Sequence, residues 1–138
     1  MTADEISTNS RRTPTDWSRF VQQSIEDRGL WETYEEVAAQ AAKESSPLLH
    51  GYVEIIRTTI VRGFLEHSKE LKAVPRISPL FLSDFDRFNL NVQEGFLISL
   101  IDGRSTLQAL LKLSPFDHFT TLFNLAKLHK QQAITLPS

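Results

Sequence analysis

The sequence predicts a mainly α-helical protein in which an N-terminal three-helix segment packs on a C-terminal winged-helix-like module, a helix-turn-helix followed by a short strand. Three observations carry this prediction. Large apolar residues recur at helical spacing through most of the chain. Caps, glycines and prolines punctuate that periodicity at helix-length intervals. The last third runs in the order helix, Asp102-Gly103 turn, helix, capped helix and short strand at Ile134-Thr135-Leu136, the order of a winged helix-turn-helix.

Residues 1–14 are polar, rich in Ser, Thr and Asn, and carry Arg11-Arg12, so a disordered tail is expected there. Residues 15–138 are expected to form one helical domain, with helices over 15–74, an aromatic linker over 75–90 and the winged-helix-like module over 91–138. Thr15 can cap a first helix with the stripe Trp17, Phe20, Val21, Ser24 and Ile25, and Gly29 is placed to end it. A second helix starts near Leu30. It sets Trp31, Tyr34, Val37, Ala38 and Ala41 on one side and Glu32, Glu35, Glu36 and Lys43 on the other.

Ser45-Ser46-Pro47 breaks the pattern and offers a cap and a first-turn proline to a third helix, roughly Leu48 to Leu71. Its stripe is Leu49, Tyr52, Val53, Ile56, Ile60, Gly63, Phe64 and His67. Ile55, Val61 and Leu65 point away from that stripe, so the helix either packs on two sides within the monomer or gives one side to another chain, as in a homodimer. Gly63 in mid-helix costs about 0.5–1 kcal/mol relative to Ala and suggests a close helix crossing there.

Pro75 and Pro79 stop this helix, and the segment from Leu80 to Phe88 is densely aromatic. Leu80, Phe81, Leu82, Phe85 and Phe88 are too many to leave in water, so the segment is expected to clamp the two halves into one unit. Beyond it, Asn91 caps a helix from Val92 to Ile101, Asp102-Gly103 makes the turn, and Ser105 caps a helix through Leu107, Leu110, Leu111 and Leu113. Ser114-Pro115-Phe116-Asp117 then opens a third helix in the recognition-helix position, with Phe116, Phe119, Leu122, Phe123 and Ala126 facing inward.

At 100° per residue, Asp117, Thr121, Asn124 and Leu128 form the face of that helix that would enter a major groove. This face holds an acid, a leucine and no Lys or Arg, with Lys127 and Lys130 to its sides. Phosphate binding and guanine reading depend on basic side chains, so direct base recognition is disfavoured.

The global charge agrees with that reading. The 138 residues carry a net charge of -2. Basic residues number 9 against 12 acidic ones up to Pro75, and 6 against 5 from Arg76 onward, so neither half is a basic module. The absence of cysteine excludes disulfides, cysteine-ligated zinc, iron–sulfur clusters and thiol catalysis. No apolar run has signal-peptide or membrane-spanning length, so a cytoplasmic protein without membrane insertion is expected.

The run Pro79-Leu80, then Glu94-Gly95-Phe96-Leu97-Ile98-Ser99-Leu100-Ile101-Asp102-Gly103, then Ser105-Thr106, Leu122 to Leu128 and Ile134-Thr135-Leu136 resembles a small winged-helix-like module of deltaproteobacterial signalling proteins. That module occurs in response-regulator, PATAN-type and polarity proteins, and is loosely similar to PqqD-like peptide-recognition domains. The resemblance covers about the last 60 residues and includes no catalytic signature. It implies adaptor work in bacterial signalling, with a response regulator or a Ras-like GTPase of a polarity or motility pathway as partner. Ala133 departs from the module, which often has Gly before the terminal strand, so the wing turn is expected to differ.

Chemistry has little support in the residues. His50, His67, His118 and His129 include no H-x-x-x-H or H-E-x-x-H pair. His67 lies in an apolar stripe and reads as a core or partly buried histidine. Asp84 and Asp86 lack the glycine and distal glutamate of a calcium loop and read as turn or cap residues. Asp102-Gly103-Arg104-Ser105 follows a helix and reads as a helix-linking turn, not a phosphate loop. No G-x-S-x-G occurs. The expectation is a non-enzymatic adaptor with no cofactor and no metal. Its contact residues would be Ile55, Val61 and Leu65 on the long helix, Asp117, Thr121, Asn124 and Leu128 on the recognition helix, and Arg104 and Lys127 at the rim, with the aromatic linker as a further contact surface. The alternative is a winged-helix transcription factor dimerising through the long helix.

Overall fold

The computed structural model describes residues 14–137, so the expectations for the N-terminal tail lie outside the described residues. The chain is mainly helical and forms two compact units, one ending at Ile60 and the other beginning at Val61. The division falls inside the long helix, and the aromatic linker belongs wholly to the second unit.

In the first unit, α1 spans Pro14–Arg28 and α2 spans Leu30–Lys43. Thr15 lies within α1 and not ahead of it, so the cap expected there is displaced. Gly29 joins the helices with φ 99°, a left-handed conformation that suits a residue without Cβ, and its N–H donates to the carbonyls of Ser24 and Ile25. Trp17, Val21 and Ser24 of α1 and Thr33, Val37 and Ala41 of α2 are buried.

The two buried hydroxyls are satisfied in series. Arg28 Nη2 donates to Ser24 Oγ at 2.7 Å, Ser24 Oγ lies 2.7 Å from Thr33 Oγ1, and Thr33 donates its one proton to the Gly29 carbonyl at 2.8 Å. Ser24 is therefore the donor in the middle link. Arg28 also pairs with Glu36 at 3.2 Å. The chain of bonds runs from the end of α1 through the turn into α2.

The helix α3 spans Pro47–His67, opened by Pro47 in its first turn and by Ser46 Oγ, which accepts from the Leu49 N–H. It ends one turn earlier than its periodicity predicts. Gly63 is exposed and a Cβ built on it meets nothing within 4 Å, so the crossing expected at that point is absent. His67 is likewise exposed at the helix end, not in a core.

The second unit continues from Val61. After α3, Lys69, Glu70 and Leu71 adopt φ of 54°, 58° and 77°, three consecutive left-handed residues that are not glycine. Such residues cost roughly 1–2 kcal/mol each. They are held by Ser68, whose hydroxyl donates to the Leu65 carbonyl and accepts from the Leu71 N–H.

Beyond this turn, β1 (Arg76–Ile77) leads into the short α4 (Pro79–Ser83) and a 3₁₀ turn at Phe85–Arg87. Three helices follow, α5 (Val92–Leu100), α6 (Leu107–Leu113) and α7 (His118–Lys130), and then β2 (Ile134–Thr135). The strands pair antiparallel, Arg76 opposite Thr135 and Ile77 opposite Ile134.

Ser78 extends that closure. Its N–H donates to the Ala133 carbonyl at 2.9 Å, its hydroxyl donates to the Gln132 carbonyl at 2.5 Å, and its oxygen caps α4 by accepting from the Phe81 N–H. Gln132, at φ 67°, takes the left-handed position before β2, while Ala133 is fully buried. The positive φ before β2 is thus at Gln132, not at Ala133. The linker buries less than expected, because α4 is too short to cover both its sides and leaves Leu82 71% and Phe85 62% exposed.

The α5 boundary matches its prediction. Asn91 and Glu94 form a reciprocal capping box, and Asp102 Oδ1 turns the chain by accepting from the Arg104 and Ser105 N–H groups, with Gly103 at φ 76°. Two caps differ from expectation: Thr106, not Ser105, caps α6, and Asp117, not Ser114, caps α7. In both cases the cap side chain accepts from the amide three residues on, that of Ala109 in α6 and of Thr120 in α7.

The hydroxyl series in the first unit gives a test. Thr33→Val should remove the acceptor for Ser24 and lower stability by about 1–3 kcal/mol in urea denaturation, whereas Gln23→Ala on the exposed side of α1 should stay within ~0.5 kcal/mol.

Candidate functional site

The face of α7 expected to be exposed is interior. Thr121 and Leu128 are fully buried and Asn124 is 4% exposed, and every residue from Thr121 to Ala126 is buried. Opening α7 at His118, with Asp117 as cap, gives a helix covered almost all round, so it has no free recognition face.

The polar residues of that face bind within the unit. Thr121 Oγ1 donates to the Asp117 carbonyl and accepts from Ser114 Oγ at 2.7 Å. The Asn124 amide nitrogen donates to the Thr120 carbonyl and, at 3.1 Å, to Gln93 Oε1 on α5. Lys127 lies 3.8 Å from Glu94 of α5, whose side chain is 2% exposed. Glu94 Oε1 also accepts from the Asn91 N–H, while its buried Oε2 has no hydrogen-bond partner among the described residues. Lys127 is thus the cation of a buried carboxylate, and Asn124 and Lys127 together seat α5 on α7.

Asp117 stays exposed. The Thr120 backbone N–H, and then its hydroxyl, hold the Asp117 carboxyl below the usual carboxylate range. Asp102 is held low in the same way by the N–H groups of Ser105 and Arg104. Both acids are anions at neutral pH, Asp117 at the N-cap of α7 and Asp102 in the turn that follows α5. Arg104 is exposed in the turn between α5 and α6.

On α3, Ile55 is 61% exposed, Leu65 is half-buried and Val61 is buried at 5%, so the outer apolar side shrinks to Ile55. The structure brings Asn124 and Lys127 together with α5 and leaves Ile55, Arg104 and Asp117 apart from them.

Beyond the exposed Leu82 and Phe85 of the linker, apolar surface also lies on α5, outside the contact residues expected from the sequence. Val92 is 88% and Phe96 42% exposed, one helical turn apart on the same side of α5, with Gly95 and Ser99 exposed beside them. The Phe96 ring meets Phe116 edge-on at 5.9 Å, which fixes its orientation. Leu113, at the end of α6, is 60% exposed. The signal was in the sequence: apolar residues at 92, 96, 97, 98, 100 and 101 spread over more of the α5 wheel than one buried face can take. Leu97 and Ile101 take the interior and Val92 and Phe96 remain outside.

His129 and His67 form a second cluster, their rings 5.0 Å apart, with Phe64 6.0 Å from His129. Burial, and then repulsion from His67, lower the His129 pKa below its ordinary value. Among the described residues no group of three or more His, Asp or Glu side chains converges to hold a metal, and no helix is long and apolar enough to cross a membrane. The chain matches no protein-family model, no curated protein and no solved structure.

Two outcomes follow from these clusters. Lys127→Ala, which leaves the Glu94 carboxylate without its cation, should destabilise the protein by roughly 1–3 kcal/mol, while the exposed Lys130→Ala should change stability by less than ~0.5 kcal/mol in the same denaturant titration. His129 is held neutral by folding, whereas the unfolded chain takes up that proton near pH 6.5. Its contribution to stability is complete above about pH 6.5 and drains away as the pH falls through the lower folded value. Melting temperatures measured between pH 7.5 and 5 should therefore fall less steeply for His129→Gln than for the parent.

Proposed function

We propose that this chain is a non-catalytic adaptor whose C-terminal, winged-helix-like part binds another protein through the outer face of α5. The observation that carries this reading is the pairing of an 88% exposed Val92 with Phe96 on one rigidly seated helix. An exposed apolar pair, fixed from behind by Asn124 and Lys127 and from the side by Phe116, presents a preorganised contact with little rotamer freedom left to lose. Burying Val92 and Phe96 against a partner would supply most of the affinity, with Arg104 at the rim contributing orientation.

The resemblance of the C-terminal residues points to a bacterial signalling setting in the cytoplasm, with a response regulator or a Ras-like GTPase as the kind of partner. Homodimerisation through α3 would rest on Ile55, its 61% exposed apolar residue. DNA binding through α7 finds less support, because Thr121, Asn124 and Leu128 are buried and the exposed cap residue Asp117 is an anion that would face phosphate.

Val92→Asp tests the reading without threatening the fold, since the side chain is exposed and an acid in the first turn of a helix is tolerated. With circular dichroism unchanged, affinity capture from native cells followed by mass spectrometry should lose its specific partner. Titration of that purified partner should weaken at least tenfold, about 1.4 kcal/mol. Retention of full affinity by both Val92→Asp and Phe96→Asp would overturn the assignment. Duplex binding that falls steeply with added salt would favour the transcription-factor alternative.

A further inference from the structure

The segment Ser68-Lys69-Glu70-Leu71 follows α3 with residues that favour helix, and Leu71 lies seven positions after Phe64, on the same stripe. Local preference therefore extends α3 by a turn. The structure ends the helix at His67 and carries Lys69, Glu70 and Leu71 through left-handed conformations instead.

What opposes the local preference is a set of backbone bonds to α6. The first amides of a helix have no partner within it. In α6 the Leu107 N–H donates to the Ala73 carbonyl at 3.0 Å, the Gln108 N–H donates to the Leu71 carbonyl at 3.1 Å, and the Ala109 N–H is capped by Thr106 Oγ1. The left-handed turn aims the carbonyls of Leu71 and Ala73 at α6. A helical Leu71 would direct its carbonyl along the α3 axis, away from Gln108. One backbone cannot satisfy both arrangements.

We propose that residues 68–71 are a two-state joint that couples the length of α3 to the N-terminus of α6. In one state, the one seen here, the joint is left-handed and the Leu107 and Gln108 amides are bonded. In the other, α3 gains a turn, the left-handed strain is relieved, and those two amides open to water. Ser68, fully buried, stabilises the first state by bonding Leu65 and Leu71 at once. Anything that grips the last turn of α3 in helical register therefore loosens α6, and anything that fixes the start of α6 shortens α3.

Glu70 is the place to test the coupling, because its side chain is exposed and its φ is 58°. Glu70→Gly accepts the left-handed conformation freely, whereas the β-branched Glu70→Val resists it and accepts helix. Hydrogen exchange by NMR should show Leu107 and Gln108 slowed several-fold in Glu70→Gly and accelerated at least tenfold in Glu70→Val. Leu125 and Ala126 in α7 should keep their protection in both. Helical circular dichroism should rise in Glu70→Val. The proposal fails if Leu107 and Gln108 respond alike to the two variants or not at all. It fails equally if Glu70→Val loses helix, which would mean that the turn melts and has no second folded state.

Discussion

The second unit depends on the burial of α7. A helix with Thr121 through Ala126 and Leu128 all out of water has no solvated side on which to put polar groups, so each must find a partner inside. Thr121 takes Ser114 and the Asp117 carbonyl, Asn124 takes Gln93 and the Thr120 carbonyl, and Lys127 takes Glu94. Two of these partners lie on successive residues of α5. The orientation of α5 is thereby set by polar pairs, and its apolar residues divide around them: Leu97 and Ile101 inward, Val92 and Phe96 outward.

The same demand shapes the ends of the elements. First-turn amides of α6 reach back to Leu71 and Ala73, and the carbonyls of Gln132 and Ala133 after α7 are met by Ser78. Short segments thus become rigid through backbone bonds made across large sequence separations. The two-residue strands would not persist as an isolated pair. Ser78, which caps α4 with one interaction and ties Gln132 with another, holds them in register.

Sequence reasoning recovered what is local. Gly29, Pro47, the Asn91 cap and the Asp102-Gly103 turn each depend on atoms within a few residues, and all stand where the pattern places them. It failed where distant residues compete. Leu71 fits the α3 stripe, yet α3 stops at His67 and the carbonyls of Ala73 and Leu71 bond Leu107 and Gln108, more than 30 residues later. The α7 face was read outward because Asp117, Thr121 and Asn124 are polar, and a polar residue paired indoors looks in sequence like one that is solvated. Of the contact residues expected from the sequence, Ile55, Arg104 and Asp117 are exposed. Val92 and Phe96 belong to a helix whose apolar residues are spread round the wheel, so the pattern alone does not say which of them stay outside.

An inversion of the usual rule links the interior to the proposed docking face. Glu94 is the one ionisable residue of α5, and it is turned inward against Lys127, so the outer side of the helix presents Val92, Gly95, Phe96 and Ser99 with no charge among them. A carboxylate at that register on the outer side would repel acidic partners and attract basic ones over about a Debye length. With the charge taken indoors, selection falls to shape and apolar area, and the polar pairs that seat α5 also keep its outer face neutral. A face of that kind recognises a complementary protein surface far better than a phosphate backbone, whose affinity comes from the cations it lacks.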